Sequence, residues 1–201
     1  GGYYTMRWER KNYLSSAVET AYNLIGAVLV HETSEGIIKG KITECEAYGG
    51  FYQGKPDDGA HSFKGKTSRT QILFEEGGHA YIYLIYGMYL CMNIVCDIKG
   101  QPGGVLLRAL EPVQGIDVMQ KNRPKARGKL LTCGPGRLSM AMGIERSMYG
   151  MDLVSGNLYI ESGNEQLIQV ESSKRINIEY ATYGKHFPWR FTLKGSSWIS
   201  K

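Results

Sequence analysis

The chain is poor in the residue types that most often announce a function. Its four cysteines, Cys45, Cys91, Cys96 and Cys133, include no CxxC pair and are too sparse for a disulfide scaffold. They read as small buried hydrophobes in a reducing compartment. Its four histidines, His31, His61, His79 and His186, are too scattered for a zinc signature. No P-loop, GxGxxG or HExxH string occurs, so no cofactor and no metal is expected. No repeat, low-complexity tract or Pro/Ser-rich linker divides the sequence, and one domain over residues 1–201 is expected. The opening GGYYTMRWERKNY lacks the apolar stretch of a secretory signal, so the protein is not expected to be secreted.

What is present is an ordinary globular composition. Hydrophobic residues make up 42% and charged residues 21%, enough for one substantial core. A formal net charge of +5 is compatible with a polyanionic partner without requiring one. Part of that charge gathers in NRPKARGK, where Arg123, Lys125, Arg127 and Lys129 follow Lys121 with no acid among them. Such a run reads either as a solvated loop or as a phosphate-contacting one.

The most unusual stretch is AYIYLIYGMYLCMNIVC, residues 80–96, which carries no charge and yet is broken by Tyr86-Gly87-Met88. Four tyrosines, a central glycine and Asn93 argue against a membrane span. A β-hairpin is expected, entered through the turn at Gly77-Gly78. If its tip is exposed, Tyr86, Met88 and Tyr89 form an apolar wedge suited to something flat and stacked, such as DNA bases.

Elsewhere, helical spacing over Leu14–Leu24 predicts a helix capped by Ser15 or Ser16 and stopped at Gly26. Strands are expected at 27–30, 37–48 and 105–110, the last closed by Pro112, and at the short strings LYIE, INIEY and RFTL. Helices are expected at 115–122 and 137–142, and a long functional loop at 49–66. The mixed order without βαβ repetition predicts an α+β fold with a curved, largely antiparallel sheet, flanking helices and a protruding hairpin.

Within that frame a few residues can do chemistry. Glu46 and Tyr48, two apart on a strand, share a face, although a strand glutamate is more often simply exposed. Arg108, embedded in VLLRAL, needs a carboxylate, and Glu44, Glu46 and Glu111 are the candidates. Asn93 inside an apolar strand must find hydrogen-bond partners, and His61 sits on the long loop. A base-flipping nucleic-acid enzyme accommodates all of these features.

The strings ITECEAY, DDGAHS, YIYLIYGMYLCMNIV, VLLRALEP, CGP and FTLKGSSWIS, in this order, resemble the alkyladenine (3-methyladenine) DNA glycosylase family from about Leu24 onward. The resemblance implies a monomeric enzyme without a cofactor that flips damaged purines out of double-stranded DNA and hydrolyses the N-glycosidic bond. Glu46 would be the general base and Arg108 its positioning partner. Tyr48 and Tyr83 would sandwich the flipped base, His61 would meet its edge and Asn93 would line the pocket floor. Tyr86 would intercalate, with Met88, Tyr89, Thr67, Arg69 and Arg123 contacting DNA. It further implies residence in the cytoplasm or nucleoid if bacterial, in the nucleus if eukaryotic. The sequence departs from the family's pattern at Cys45, where a small polar residue is expected, and over Gly49–Gly59. An amine-nucleophile lyase using Lys64 or Lys66 and an inert binder of distorted DNA are the competing readings.

Overall fold

The structure, a computed structural model, describes residues 6–163 and 167–201. The first residues of the segment examined for a secretory signal, 1–5, lie outside the described residues.

Helix α1 (Ala17–Leu24) begins where the Ser16 hydroxyl accepts the Glu19 amide at 3.2 Å. Its buried residues Ala17, Thr20, Ala21 and Leu24 recur at i, i+3, i+4 and i+7, one stripe facing the sheet. It ends at Gly26, whose φ of 86° lies in the left-handed region. Two further short helices follow later in the chain, α2 (Ile116–Asn122) and α3 (Pro135–Ala141).

The strands are β1 (Val28–Thr33), β2 (Gly36–Tyr48), the short pair β3 (Phe51–Tyr52) and β4 (Lys55–Pro56), and β5 (Ala80–Ile85). They continue with β6 (Tyr89–Cys96), β7 (Gly103–Gln114), β8 (Leu158–Glu161), β9 (Val170–Ser173) and β10 (Arg190–Leu193). All but β3 and β4 belong to one antiparallel sheet ordered β5-β6-β7-β2-β1-β8, with β10 also on β2 and β9 beyond it. At 13 residues, β2 is long enough to hold different partners along one edge: β1 along its first half, β10 along its second. The other edge pairs with β7 from Lys39 to Tyr48. Cys45 and Ala47 point into the core while Glu44 and Glu46 occupy the opposite face, so the alternation expected from sequence holds. All four cysteines are free and buried.

Two expectations need correction. Pro112 does not close its strand: it pairs with Gly40, and β7 runs on to Gln114 across a register irregularity, a place where a missing N–H is tolerated. INIEY (176–180) is not a strand but part of an irregular segment between β9 and β10. Its φ of 59° at Asn177 breaks any extended run. No helix among the described residues is long and apolar enough to cross a membrane.

Candidate active site

Sheet register assembles the site. Arg190, Glu46, Leu106, Asn93 and Tyr81 are successive cross-strand partners, a single transverse row over β10, β2, β7, β6 and β5. Cross-strand partners project to the same face. A second row places Tyr83 against Cys91. Arg108 arrives by a different device. On β7, Leu107 pairs with Cys45 but Ala109 pairs with Glu44, so Arg108 is the extra residue of a bulge. Bulges re-aim a side chain, and this one sends the guanidinium between two carboxylates.

Those carboxylates are fully buried. Arg108 Nη1 lies 3.5 Å from Glu46 Oε1, and Arg108 Nε 3.5 Å from Glu44 Oε2. Glu111, the third partner expected for Arg108, instead pairs with Lys41 at 3.0 Å. Glu44 is otherwise saturated: it accepts Arg190 Nε at 2.6 Å, the Ser200 amide at 2.6 Å and the Ser200 hydroxyl at 2.9 Å. Glu46 is held more lightly, accepting the Tyr48 hydroxyl at 3.0 Å and the Ile176 amide at 2.6 Å. The common fate of a strand glutamate, exposure to solvent, does not apply here.

Burial pushes the Glu46 carboxyl above its ordinary 4.5, against the pull of Arg108, the Ile176 amide and the Tyr48 hydroxyl. A carboxyl raised on folding adds stability only while protonated. That contribution is complete below the unfolded value and is lost as pH rises through the folded one. Glu46→Gln, which stays neutral, should therefore have a higher melting temperature than the wild type near pH 7. The gain should shrink on acidification and vanish below 4.5. Equal melting temperatures at all pH values would contradict a strained, ionised Glu46.

Beside this cluster opens a cavity of about 360 Å³. Tyr48, His61, Tyr83, Asn93 and Arg108 line it, and Tyr86 stands at its edge. Glu46 lies one layer behind the wall, bonded to three of the lining residues, Tyr48, Arg108 and Ile176. His61 packs edge-on to Tyr83, with ring centroids 4.7 Å apart, and its Nδ1 is 2.9 Å from the Tyr81 hydroxyl. Burial and then nearby Arg69 lower its pKa, which favours the neutral ring. The Asn93 amide donates to the Tyr81 carbonyl at 3.3 Å, which fixes the side chain in the cavity wall.

The hairpin tip stands free of the sheet. Tyr86 is 85% exposed and Met88 67%. Tyr86 and Gly87 have φ of 50° and 72°, and the Met88 amide bonds the Ile85 carbonyl at 3.2 Å. The left-handed region costs a bulky residue roughly 1–3 kcal/mol. Tyr89 packs against α3, where a Cβ on Gly136 would come within 3.0 Å of it.

The residues read as DNA contacts are less gathered. Arg69 reaches over Tyr83 at 5.9 Å. The Thr67 hydroxyl is engaged with Thr70 at 3.0 Å. Arg123 turns inward, its guanidinium bonded to the carbonyls of Leu130 and Leu131.

Sequence reasoning missed four contributors. Tyr81 orients His61, and its place two residues before Tyr83 on a strand was the available signal. Ile176 supplies a backbone amide, for which no side-chain signal exists. Arg175 and Asp57 form a buried pair behind Tyr48.

A buried carboxylate, a guanidinium and an aromatic cavity beside an exposed apolar tip can together receive and hydrolyse a flat, extruded group. The family model for methylpurine-DNA glycosylases matches residues 11–197 of this chain. The chain belongs to the methylpurine-DNA glycosylase family. A relative from Clostridium novyi (strain NT) is 43% identical over 97% of this chain and 98% of its own length. Another from Clostridium tetani is 42% identical over 98% of this chain and 100% of its own. A third, from Bacillus cereus (strain G9842), is 43% identical over 94% of this chain and 96% of its own. All three carry the provisional name 3-methyladenine DNA glycosylase. As a member of the family the chain is a DNA glycosylase, a hydrolase of N-glycosidic bonds acting in DNA repair.

Proposed function

We propose that this glycosylase flips alkylated or deaminated purines, of the 3-methyladenine, 7-methylguanine, hypoxanthine and ethenoadenine type, from duplex DNA into the 360 Å³ cavity. There it hydrolyses the glycosidic bond and leaves an abasic site. The observation that carries this reading is a fully buried carboxylate, Glu46, bonded to the wall of a tyrosine-lined cavity that reaches the exposed Tyr86 tip. Glu46 takes the proton of the attacking water, and Arg108 holds the carboxylate and the water in line. As the bond breaks the sugar develops oxocarbenium character, which the carboxylate also stabilises.

Tyr48 and Tyr83 supply the stacking faces, worth roughly 1–2 kcal/mol for a cationic alkylpurine when desolvated. His61, neutral and held by Tyr81, presents a ring nitrogen to the edge of the base. Tyr86 fills the gap left in the duplex. Met88 and Tyr89 lie in the groove beside it, with Thr67 and Arg69 toward the phosphates; Arg123 joins them only by giving up the Leu130 and Leu131 carbonyls. The enzyme acts as a monomer on DNA inside the cell. No lysine among the described residues lines the cavity, which favours hydrolysis over an amine-nucleophile lyase.

The test uses duplex DNA with a single hypoxanthine, EDTA and, in parallel, borohydride. An abasic, alkali-labile product without a trapped adduct is expected. A borohydride-trapped complex would establish the lyase, and absence of product on every alkylated or deaminated purine would leave only a binder of distorted DNA.

Asn93 should set base selectivity. Guanine carries an exocyclic amino group on its minor-groove edge that hypoxanthine and adenine lack. An asparagine fixed in the cavity wall opposes that group with its own amide. Polar mismatch discriminates more strongly than fit in an apolar pocket. Asn93→Ser is predicted to raise 7-methylguanine or guanine excision relative to hypoxanthine on matched duplexes. A fixed ratio, with both rates falling together, would reduce Asn93 to a strand support.

A further inference from the structure

The part of the cavity wall outside the hairpin draws on segments far apart in sequence, and one buried ion pair ties them together. Arg175 and Asp57 have fully buried side chains and meet as a two-pronged fork: Nη1 to Oδ2 at 2.7 Å and Nη2 to Oδ1 at 2.7 Å. The same guanidinium donates to the Ala47 carbonyl at 2.9 Å and the Gly184 carbonyl at 2.8 Å, and lies 4.6 Å over the Tyr48 ring. Asp57 also accepts the amides of Gly49 at 2.8 Å and Gly59 at 3.0 Å. The pair therefore joins the end of β2, the loop that carries His61, and the segment 174–184. Backbone space is reserved for it. A Cβ on Gly184 would come within 2.6 Å of Asp57 and 2.8 Å of Arg175, and one on Gly59 within 3.2 Å of Asp57. The segment so anchored presents, at the next residue, the Ile176 amide to Glu46 Oε2 at 2.6 Å.

We infer that Arg175, forked onto Asp57, is a positioning residue for the hydrolytic step: it holds the Ile176 N–H against the Glu46 carboxylate and fixes the Tyr48 ring from behind. The inference rests on Glu46 being the base. A guanidinium suits this role where an ammonium does not, because one rigid fork engages a carboxylate and two carbonyls at once. The group through which it acts is Glu46. Arg108 faces that carboxylate from β7, and Tyr48, Cys45 and Glu44 from its own strand. Arg190, the register partner of Glu46 on β10, is bonded to Glu44, while Tyr83 approaches from β5 and Tyr180 from the anchored segment.

Arg175→Lys keeps the charge and loses the fork. The Ile176 amide should then drift from Glu46, removing a donor that favours the ionised base. The measurement is single-turnover excision of hypoxanthine across pH, with thermal unfolding followed in the same buffers. The acidic limb of the rate profile should move up by about one pH unit, the scale of one hydrogen bond to a charged group. Tyr180→Phe is the companion for the case in which Arg175→Lys does not fold. Its hydroxyl, on a residue 68% exposed, ties the same segment to the Gly59 carbonyl at 2.7 Å. A smaller shift in the same direction is expected. An unmoved limb in every variant that folds, with rates merely scaled down or unchanged, overturns the inference. Glu46→Gln in the same series separates the two claims. Wild-type excision by that variant removes the base assignment itself, whereas an inactive Glu46→Gln with unmoved limbs elsewhere removes only the positioning role.

Discussion

Glu46→Gln is expected to lower single-turnover excision of hypoxanthine from duplex DNA by about 10²–10⁴-fold, the usual worth of a positioned base. Binding to the same duplex should survive. The glutamine side chain keeps the size of glutamate and one acceptor oxygen for the Ile176 amide, at 2.6 Å in the parent, while the Tyr48 hydroxyl, at 3.0 Å, can turn to accept from the new NH2 group. It cannot take a proton from water. The fold should tolerate the change, because an ionised Glu46 is itself a burden on a fully buried site. Lost catalysis, retained binding and a raised melting temperature near pH 7 together separate a sacrificed base from a damaged structure. Excision at the wild-type rate would falsify the assignment.

Tyr86→Asn is the second large effect, and the backbone makes it clean. The φ of 50° at Tyr86, followed by 72° at Gly87, is a geometry that asparagine before glycine adopts readily and tyrosine does not. Melting temperature should hold or rise. Stacking of an aromatic ring on a base is worth roughly 1–3 kcal/mol, so the flipped state should lose roughly 5- to 150-fold in population. A fluorescent base analogue at the lesion reports this directly, and the loss should be larger for stably paired lesions than for mismatched ones. An unchanged signal would assign the wedge to Met88. A ring kept at a strained, 85% exposed position has no evident use in packing.

Much of this architecture was legible before any coordinates. Glu46 and Tyr48 share a face because strand side chains alternate, and the buried Cys45 and Ala47 show which face is the core. The hairpin was readable from Gly87 set in an apolar run, and α1 from its spacing and its serine cap. These are signals of a few residues' range, and local stereochemistry decides them. Whether the tip is exposed or buried was not decided there, since apolar residues are written alike in a core and on a wedge.

The tertiary structure alone decided how the candidate catalytic face is closed. Ile176 meets Glu46 across 130 residues, and Arg175 meets Asp57 across 118. The first contact uses a backbone amide that every residue type but proline possesses, so sequence carries no mark of it. Arg108 was recognisable as a cation in need of a carboxylate. Its choice of Glu44 and Glu46 over Glu111 follows from a bulge in the pairing of β2 with β7, a property of register between strands and of neither strand alone. INIEY reads as a strand by composition, yet Asn177 turns left-handed and the segment is held by the buried fork behind it. Strand propensity depends on tertiary context, and here the segment is held instead by the Arg175 guanidinium, which bonds Asp57 and the Ala47 and Gly184 carbonyls.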